Sequence, residues 1–152
     1  MSNKLKKIGV LTSGGDAPGM NAAVRAVVRS AVYNNIDCYG IYKGFEGLII
    51  DDFVKLNARG VNNIVNKGGT ILKSARSLEF RTKEGRKKAK TNLDKYEIDS
   101  LVVIGGNGSL TGAMLLEEEH GIKTIGIPGT IDNDLVGTRC TLGYDTALNT
   151  AV

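Results

Sequence analysis

The stretch Leu101-Val102-Val103-Ile104-Gly105-Gly106-Asn107-Gly108-Ser109 joins an unbroken apolar run to a glycine-rich loop. The run is the clearest candidate in the sequence for a strand that is buried on both faces. Three glycines in the four positions after it let the backbone approach a ligand closely, and Ser109 could cap the next helix while donating to phosphate. That helix is predicted from the spacing of Leu110, Ala113, Met114, Leu115 and Leu116. The loop lacks the GxxxxGK[ST] spacing of a Walker A motif.

A similar unit of strand, loop and helix lies near the amino terminus. Ile8–Leu11 is predicted to be a buried strand, residues 12–19 the loop after it, and residues 20–33 a helix. This order points free backbone N–H groups and the positive end of a helix at phosphate, with Gly14 and Gly15 at the centre of the loop. A tight turn that needs no ligand fits the same residues.

The rest of the chain continues the alternation. Further strands are predicted at residues 38–42, 68–72 and 122–127, and helices at 61–66 and 82–96, whereas 44–50 has no clear period and could turn back across the sheet edge. The pattern predicts an α/β fold with a doubly wound, mostly parallel sheet, right-handed crossovers and helices on both faces. The loops after the strands of such a sheet meet along one edge, so we expect them to share a cleft.

A polar heptad, Pro128-Gly129-Thr130-Ile131-Asp132-Asn133-Asp134, follows the last predicted strand. One of its carboxylates could take a proton while the other holds a metal ion. The sequence Asp-Asn-Asp is also common in plain turns and helix caps. The heptad therefore indicates catalysis only in combination with the two glycine-rich loops.

Arginines supply candidate anion sites in two places. Arg76 follows the predicted strand 68–72, where its planar and permanently charged guanidinium could neutralise charge on a transferring phosphoryl group. A surface salt bridge is the alternative. Arg25 and Arg29 lie four residues apart on the first helix and project from one face. That pair is either solvated or an anion site at a subunit boundary.

The composition argues against several classes of protein. With 152 residues, of which 41% are hydrophobic and 24% charged, the chain can form one core. A net charge of +4 suits phosphorylated small molecules and falls short of a nucleic-acid-binding profile. Cys38 and Cys140 lack CxxC spacing, which favours a reduced, cytoplasmic setting. We expect neither export nor membrane insertion, because the sequence shows no signal-peptide core and no apolar run near ~18 residues.

Together, the motifs resemble the N-terminal part of bacterial-type ATP-dependent 6-phosphofructokinases. The resemblance runs from Ile8 to the end of the chain and is carried by residues 12–21 (TSGGDAPGMN), 68–70 (GGT) with 74–76 (SAR), and 128–134 (PGTIDND). It implies transfer of the ATP γ-phosphoryl group to the 1-hydroxyl of fructose 6-phosphate in glycolysis, with Mg²⁺ as cofactor and ATP as co-substrate. It also implies a cytoplasmic homotetramer that binds a nucleotide effector.

The resemblance implies roles for individual residues as well. The residues that would bind ATP are Gly15, Arg76, Ser77, Gly106, Asn107, Gly108 and Ser109. Those that would contact the sugar are Thr130, Ile131 and Asp132. Those that would take part in catalysis are Asp132, Arg76, Gly15 and Thr130, with Asp132 as the general base and Arg76 bridging the phosphates. Asn107 and Asp134 would serve the metal ion. Arg25 and Arg29 would bind the nucleotide effector at a subunit boundary.

A few positions depart from the family pattern or bear on the phosphoryl donor. Asn107 stands where the family usually has aspartate, so we expect weaker Mg²⁺ binding and reduced turnover. Arg139 and Phe45 stand where an aspartate and a tyrosine are common. Pyrophosphate-using relatives carry an acidic residue in place of Gly108 and a lysine in place of Gly129, so both glycines favour ATP.

Length sets the expected division into domains. Family members are considerably longer, so residues 1–152 would form the N-terminal ATP-binding part, without most of the fructose 6-phosphate clamp. Because the chain ends inside a predicted helix, 146–150, we expect a truncated polypeptide that does not bind sugar phosphate by itself. Two alternatives are a NAD or lipid kinase with a related glycine loop, and a non-catalytic nucleotide-binding regulatory subunit, which Asn107 and the short length leave open.

Overall fold

The structure is a computed structural model that describes residues 6–152. Six strands of this described part form a sheet in the order β3-β2-β1-β4-β5-β6. They are β1 (Lys7–Thr12), β2 (Asp37–Ile41), β3 (Phe53–Leu56), β4 (Ser100–Gly105), β5 (Lys123–Thr130) and β6 (Leu142–Gly143). Every neighbouring pair is parallel except β2 and β3, which are antiparallel. The predicted α/β fold with a mostly parallel sheet is confirmed.

Within residues 6–152, five α-helices connect the strands or cover the faces of the sheet. They are α1 (Met20–Tyr33), α2 (Phe45–Ile50), α3 (Lys83–Lys95), α4 (Asn107–His120) and α5 (Tyr144–Ala151). Successive strand residues point to opposite faces, so Val10 packs with α1 while Leu11 packs with α2, α3 and α4. Val103 and Ile104 divide between the same two clusters. The two apolar clusters are the cores of a three-layer fold.

Residues 68–72 do not form the predicted strand. They are a turn, and the Asn21 side chain on α1 satisfies part of its backbone: Nδ2 donates to the Lys67 carbonyl (3.0 Å) and Oδ1 accepts from the Ile71 amide (2.8 Å). The position beside β2 is taken by β3. The prediction was wrong because the segment's polar groups pair with a helix side chain rather than with a strand.

Residues 61–66 are likewise turns rather than the predicted helix, although Val61 and Ile64 are buried. The unassigned segment 44–50 contains α2, after which β3 returns antiparallel along the edge of the sheet. The predicted helix at 82–96 is confirmed, with Thr82 as its N-cap, since the Gly85 amide donates to Thr82 Oγ1 (3.0 Å). Within residues 6–152, no helix is both long and apolar enough to cross a membrane.

Candidate active site

One cleft lies at the carboxyl ends of three adjacent parallel strands, β1, β4 and β5. It has a volume of about 720 Å³. The predicted site residues that line it are Gly15, Arg76, Ser77, Gly106, Asn107, Gly108, Ser109, Thr130, Asp132 and Asp134. Because the carboxyl ends of parallel strands share one edge of a sheet, segments far apart in sequence meet here. The predicted convergence of the loops is therefore observed.

The loop after β1 rests directly on β4. The Ser13 amide donates to the Ile104 carbonyl (2.9 Å), and a Cβ on Gly105 would lie 2.6 Å from the Ser13 carbonyl oxygen, so only glycine fits at position 105. Gly14 has φ +84°, a conformation that favours glycine. Gly15 differs, since a Cβ there would meet nothing within 4 Å and its φ is not left-handed. The space next to Gly15 is open to a ligand.

Helix α4 points its amino-terminal end at the same cleft. It begins at Asn107, and Gly106 is its N-cap without any side-chain cap. The first amides of the helix therefore have no intrahelical acceptor and, with the helix dipole, favour an anion. Ser109 is buried inside the first turn, so the prediction that it caps the helix was wrong. The helix starts earlier than the glycine spacing indicates.

Hydrogen bonds within residues 130–133 and to Thr141 hold the segment after β5. Thr130 Oγ1 accepts from the Asp132 amide (3.2 Å), and the Thr141 hydroxyl donates to the Thr130 carbonyl (2.6 Å). The Thr141 amide donates to Asn133 Oδ1 (3.0 Å), and Asn133 has φ +49°. This turn leaves the carboxylates of Asp132 and Asp134 exposed along the cleft.

Arg76 lies on a segment that β1 holds in place. The Thr12 hydroxyl donates to the Lys73 carbonyl (2.9 Å) and lies 2.9 Å from Thr70 Oγ1. In the part of the chain that the structure describes, no carboxylate lies within salt-bridge distance of the exposed Arg76 guanidinium. The alternative of a surface salt bridge is not observed, and the charge faces the cleft.

The other end of the cleft is an apolar wall that the sequence analysis did not identify. The rings of Phe45 and Phe80 stack with centroids 4.1 Å apart and planes 15° apart. A Cβ on Gly112 would lie 3.1 Å from the Phe45 ring, and Leu78 and Leu115 complete the lining. Such a wall suits a planar aromatic ligand. The sequence analysis treated Phe45 only as a departure from the family pattern, and no hydrophobic period predicted a role for Phe80.

Arg86, which also lines the cleft, holds the backbone of this wall in place. Its Nε and Nη2 donate to the two carboxylate oxygens of Glu119 (2.6 and 2.8 Å), and Nη1 donates to the carbonyls of Phe80 (3.0 Å) and Arg81 (2.9 Å). The hydrogen bond with Glu119 raises the pKa of the buried Arg86 and lowers the pKa of Glu119. One side chain thus ties α3 and the end of α4 to the short 3₁₀ turn Glu79–Arg81.

Comparison with known proteins identifies the family. The sequence model of the phosphofructokinase family matches residues 7–152, nearly the whole chain. The chain belongs to the phosphofructokinase family. The resemblance inferred from the motifs at residues 12–21 and 128–134 is confirmed.

Among phosphofructokinases, the chain is similar to the ATP-dependent 6-phosphofructokinase of Cytophaga hutchinsonii (58% identity over 97% of this chain and 45% of that protein). It is similar also to ATP-dependent 6-phosphofructokinase 2 of Bacteroides thetaiotaomicron (57%, over 96% and 45%). The chain thus spans less than half the length of these relatives. Phosphofructokinase from Saccharomyces cerevisiae superimposes with a TM-score of 0.90 at 42% identity, over 96% of this chain and 23% of that one. The pyrophosphate-dependent enzyme of Marinobacter aquaeolei (TM-score 0.79, 22% identity, 92% and 37%) shares the fold.

Three of the residues that the phosphofructokinase resemblance singles out lie outside the lining of the cleft. Ile131 is half-exposed next to Thr130. Arg25 and Arg29 lie on α1, where Arg25 Nη1 donates to the Val61 carbonyl (3.0 Å) and Arg29 is exposed. The two arginines therefore belong to a different surface from the cleft residues.

The cleft fits Mg²⁺ in the way that phosphate-binding enzymes commonly use it. Magnesium retains several waters and takes one or two carboxylates together with substrate phosphates. Asp134 offers an exposed carboxylate on the cleft, and Asn107, at the start of α4, offers an amide oxygen on the same cleft. Residues 6–152 contain no group of three or more His, Cys, Asp or Glu arranged as an all-protein metal site. The donor set thus suits a metal ion that arrives with a nucleotide.

Proposed function

We propose that the protein is an ATP-dependent 6-phosphofructokinase, which transfers the γ-phosphoryl group of ATP to the 1-hydroxyl of fructose 6-phosphate and releases ADP and fructose 1,6-bisphosphate. The observation that carries the proposal is that Gly15, Arg76 and Asp132, from three separate segments, line one cleft. Phosphoryl transfer asks a protein chiefly for positioning and charge stabilisation. Backbone amides, a free guanidinium and a carboxylate meet that demand.

ATP lies along the cleft with its base in apolar surroundings and its phosphates next to backbone amides. The base packs against the apolar wall of Phe45 and Phe80, which is the face that suits a planar ring. The phosphates lie at the open backbone of Gly15 and at the amino-terminal end of α4, with Gly106, Gly108 and the buried Ser109 around them. (Gly108 leaves its surroundings open, since a Cβ there would meet nothing within 4 Å.) Ser77, beside Arg76, borders the same space.

Each remaining residue supports one part of the transfer. Arg76 neutralises charge on the equatorial oxygens, because its guanidinium has no competing carboxylate in residues 6–152. Asp132 takes the proton of the attacking hydroxyl, and Thr130 with the backbone of Ile131 orients the sugar. Asp134 and Asn107 would hold Mg²⁺, which supplies charge neutralisation at the phosphates when it is bound.

ATP is favoured over pyrophosphate as the donor. Gly129 is buried, and a Cβ there would lie 3.2 Å from Ile104 Cγ2, so a long side chain does not fit without movement. Gly108 leaves room for a nucleotide where an acidic residue would repel it. The names of the curated relatives, which are called ATP-dependent, agree with this preference.

The proposal extends to the assembly. Residues beyond this chain would complete the fructose 6-phosphate site, since relatives are more than twice as long. Arg25 and Arg29 would bind the phosphates of a nucleotide effector at a subunit boundary of a cytoplasmic homotetramer. The fixed guanidinium of Arg25, on a surface away from the cleft, supports a separate anion site.

The test is a coupled assay for ADP with the purified full-length protein, ATP, Mg²⁺ and fructose 6-phosphate. Asp132→Asn should lower kcat by roughly 10²–10⁴-fold while nucleotide binding is retained. Asp145→Asn, an exposed acid in the first turn of α5, is the matched control and should leave kcat unchanged. Phosphorylation of a different acceptor would point to another kinase, and nucleotide binding without turnover to a regulatory subunit.

A further inference from the structure

Asn107 and Gly108 are the one Asn-Gly pair in the whole sequence, and both lie on the cleft. An asparagine before glycine is the pair most prone to deamidation, because glycine lacks the side chain that would hinder attack of its amide nitrogen on the asparagine Cγ. Asn107 is exposed, so water can reach the product of that attack. The cleft therefore carries a site of spontaneous covalent chemistry.

The peptide unit between the two residues is poised for this reaction. The Gly108 amide is in the first turn of α4, where it has no intrahelical acceptor. The carbonyl of the same peptide unit, Asn107 O, accepts from the Thr111 hydroxyl (2.9 Å). A donor on this oxygen stabilises the negative charge that forms when the Gly108 nitrogen loses its proton. The nucleophile is thus both unpaired within the helix and made more acidic.

The local backbone can reach the geometry for attack. The Gly108 nitrogen must approach Asn107 Cγ, which requires the first helical turn to open at Asn107. Gly106 provides no side-chain cap, and the space beside Gly108 contains no atom within 4 Å of a Cβ position. Gly108, inside the first turn, also has a lower helix propensity than alanine. Opening of this turn is therefore inexpensive compared with the rest of α4.

We propose that Asn107 is a deamidation site and that its conversion adds a carboxylate to the cleft beside Asp132 and Asp134. The Gly108 nitrogen forms a bond to Asn107 Cγ, the Cγ–Nδ2 bond breaks, and ammonia leaves with the proton from the Gly108 amide. Water then opens the succinimide, giving aspartate when the bond to the Asn107 Cγ is the one cleaved and isoaspartate when the backbone bond is cleaved. No oxidant or reductant is needed.

The consequence for Mg²⁺ rests on the proposed function. A carboxylate in place of the Asn107 amide keeps an oxygen ligand and adds a negative charge, which raises affinity for a hard cation. We expect Mg²⁺ in the presence of ATP to bind on the order of tenfold more tightly to the aspartate form. The freshly made protein and the aged protein would then differ in their Mg²⁺ dependence.

The experiment follows deamidation by peptide mass spectrometry, independently of activity. The purified full-length protein is incubated in mildly alkaline buffer, and the fraction of aspartate and isoaspartate at Asn107 is measured over time. Asn107 should convert faster than Asn66, an exposed asparagine followed by lysine. ATP with Mg²⁺ should slow the conversion. Conversion at Asn107 no faster than at Asn66 overturns the proposal.

A second measurement tests the consequence. Calorimetric titration of Mg²⁺ with ATP compares fresh protein, aged protein and Asn107→Asp, with Asn107→Gln aged in parallel as the variant that keeps its amide. The affinity of the aged protein should move toward that of Asn107→Asp, and the Asn107→Gln protein should not change. Deamidation without any change in affinity overturns the link to the metal. If the protein does not phosphorylate fructose 6-phosphate, turnover is absent in all forms while the mass measurement still stands.

Discussion

Replacing Gly15 with alanine separates ligand binding from folding. A Cβ at this position meets nothing within 4 Å, and the backbone is not in the left-handed region, so the added methyl group does not strain the free protein. Loss of chain entropy in the unfolded state should raise the free energy of unfolding by about 0.4–1 kcal/mol. In the proposed binding mode, phosphate approaches the same space, where overpacking costs about 1–3 kcal/mol, equivalent to roughly 5- to 150-fold weaker nucleotide binding.

Gly105→Ala is the matched control because its environment is the reverse. Its Cβ would lie 2.6 Å from the Ser13 carbonyl oxygen and 2.8 Å from Ser109 Cβ, so the loop after β1 must shift. We expect a fall of about 1–3 kcal/mol in the free energy of unfolding. Stability is measured by urea denaturation with circular dichroism, and binding by calorimetry with a non-hydrolysable ATP analogue and Mg²⁺. Parental affinity in Gly15→Ala would refute the close approach of phosphate to this backbone.

Three further predictions concern the ion pair of Arg86 with Glu119 and the two cysteines. Arg86→Met should lower the free energy of unfolding by about 2–3 kcal/mol, because the Phe80 and Arg81 carbonyls lose their donor. Lys88→Met, which removes an exposed ion pair, should have little effect. Urea denaturation measures both. Arg86 lowers the pKa of Glu119, so the stability from this pair is present above the ordinary glutamate pKa and is lost as pH falls through the folded pKa. In Glu119→Gln, the free energy of unfolding should therefore fall less steeply at acidic pH. Burial raises the pKa of the Cys38 thiol to about 12, so a thiol reagent should label Cys140 and spare Cys38 in the folded protein. Peptide mapping measures the labelling, and equal labelling of the two cysteines would contradict the burial of Cys38.

The sequence predicted the parts of the fold that depend on strong local patterns. The apolar run before Gly105 and the run before Gly14 each form a central parallel strand, and their positions bring both glycine loops to one edge. The convergence of Gly15 and Asp132 followed from that topology. Arg76 reaches the cleft for a different reason, because it follows a turn that Thr12 and Asn21 hold in place rather than the predicted strand. The roles of these residues in binding and catalysis stay predictions.

The features that were missed depend on contacts between distant segments. The stacked rings of Phe45 and Phe80 come from segments with no helical or strand period, so only the folded chain brings them together. Residues 70–72 (TIL) favour a strand, but the side chains of Asn21 and Thr12 bind this region instead. Ser109 was expected as a cap because the glycines before it suggest a long loop, whereas α4 starts at Asn107.

The claim on which the account depends is that one triphosphate lies between Gly15 and Arg76 and faces Asp132. The most direct measurement is a crystal structure of the full-length protein with Mg²⁺, fructose 6-phosphate and a non-hydrolysable ATP analogue. The account predicts the terminal phosphates within hydrogen-bonding distance of the Gly15 amide and the Arg76 guanidinium, with the Asp132 carboxylate next to the sugar 1-hydroxyl. Terminal phosphates bound away from the Gly15 amide, or an Asp132 carboxylate out of reach of the sugar, would contradict it.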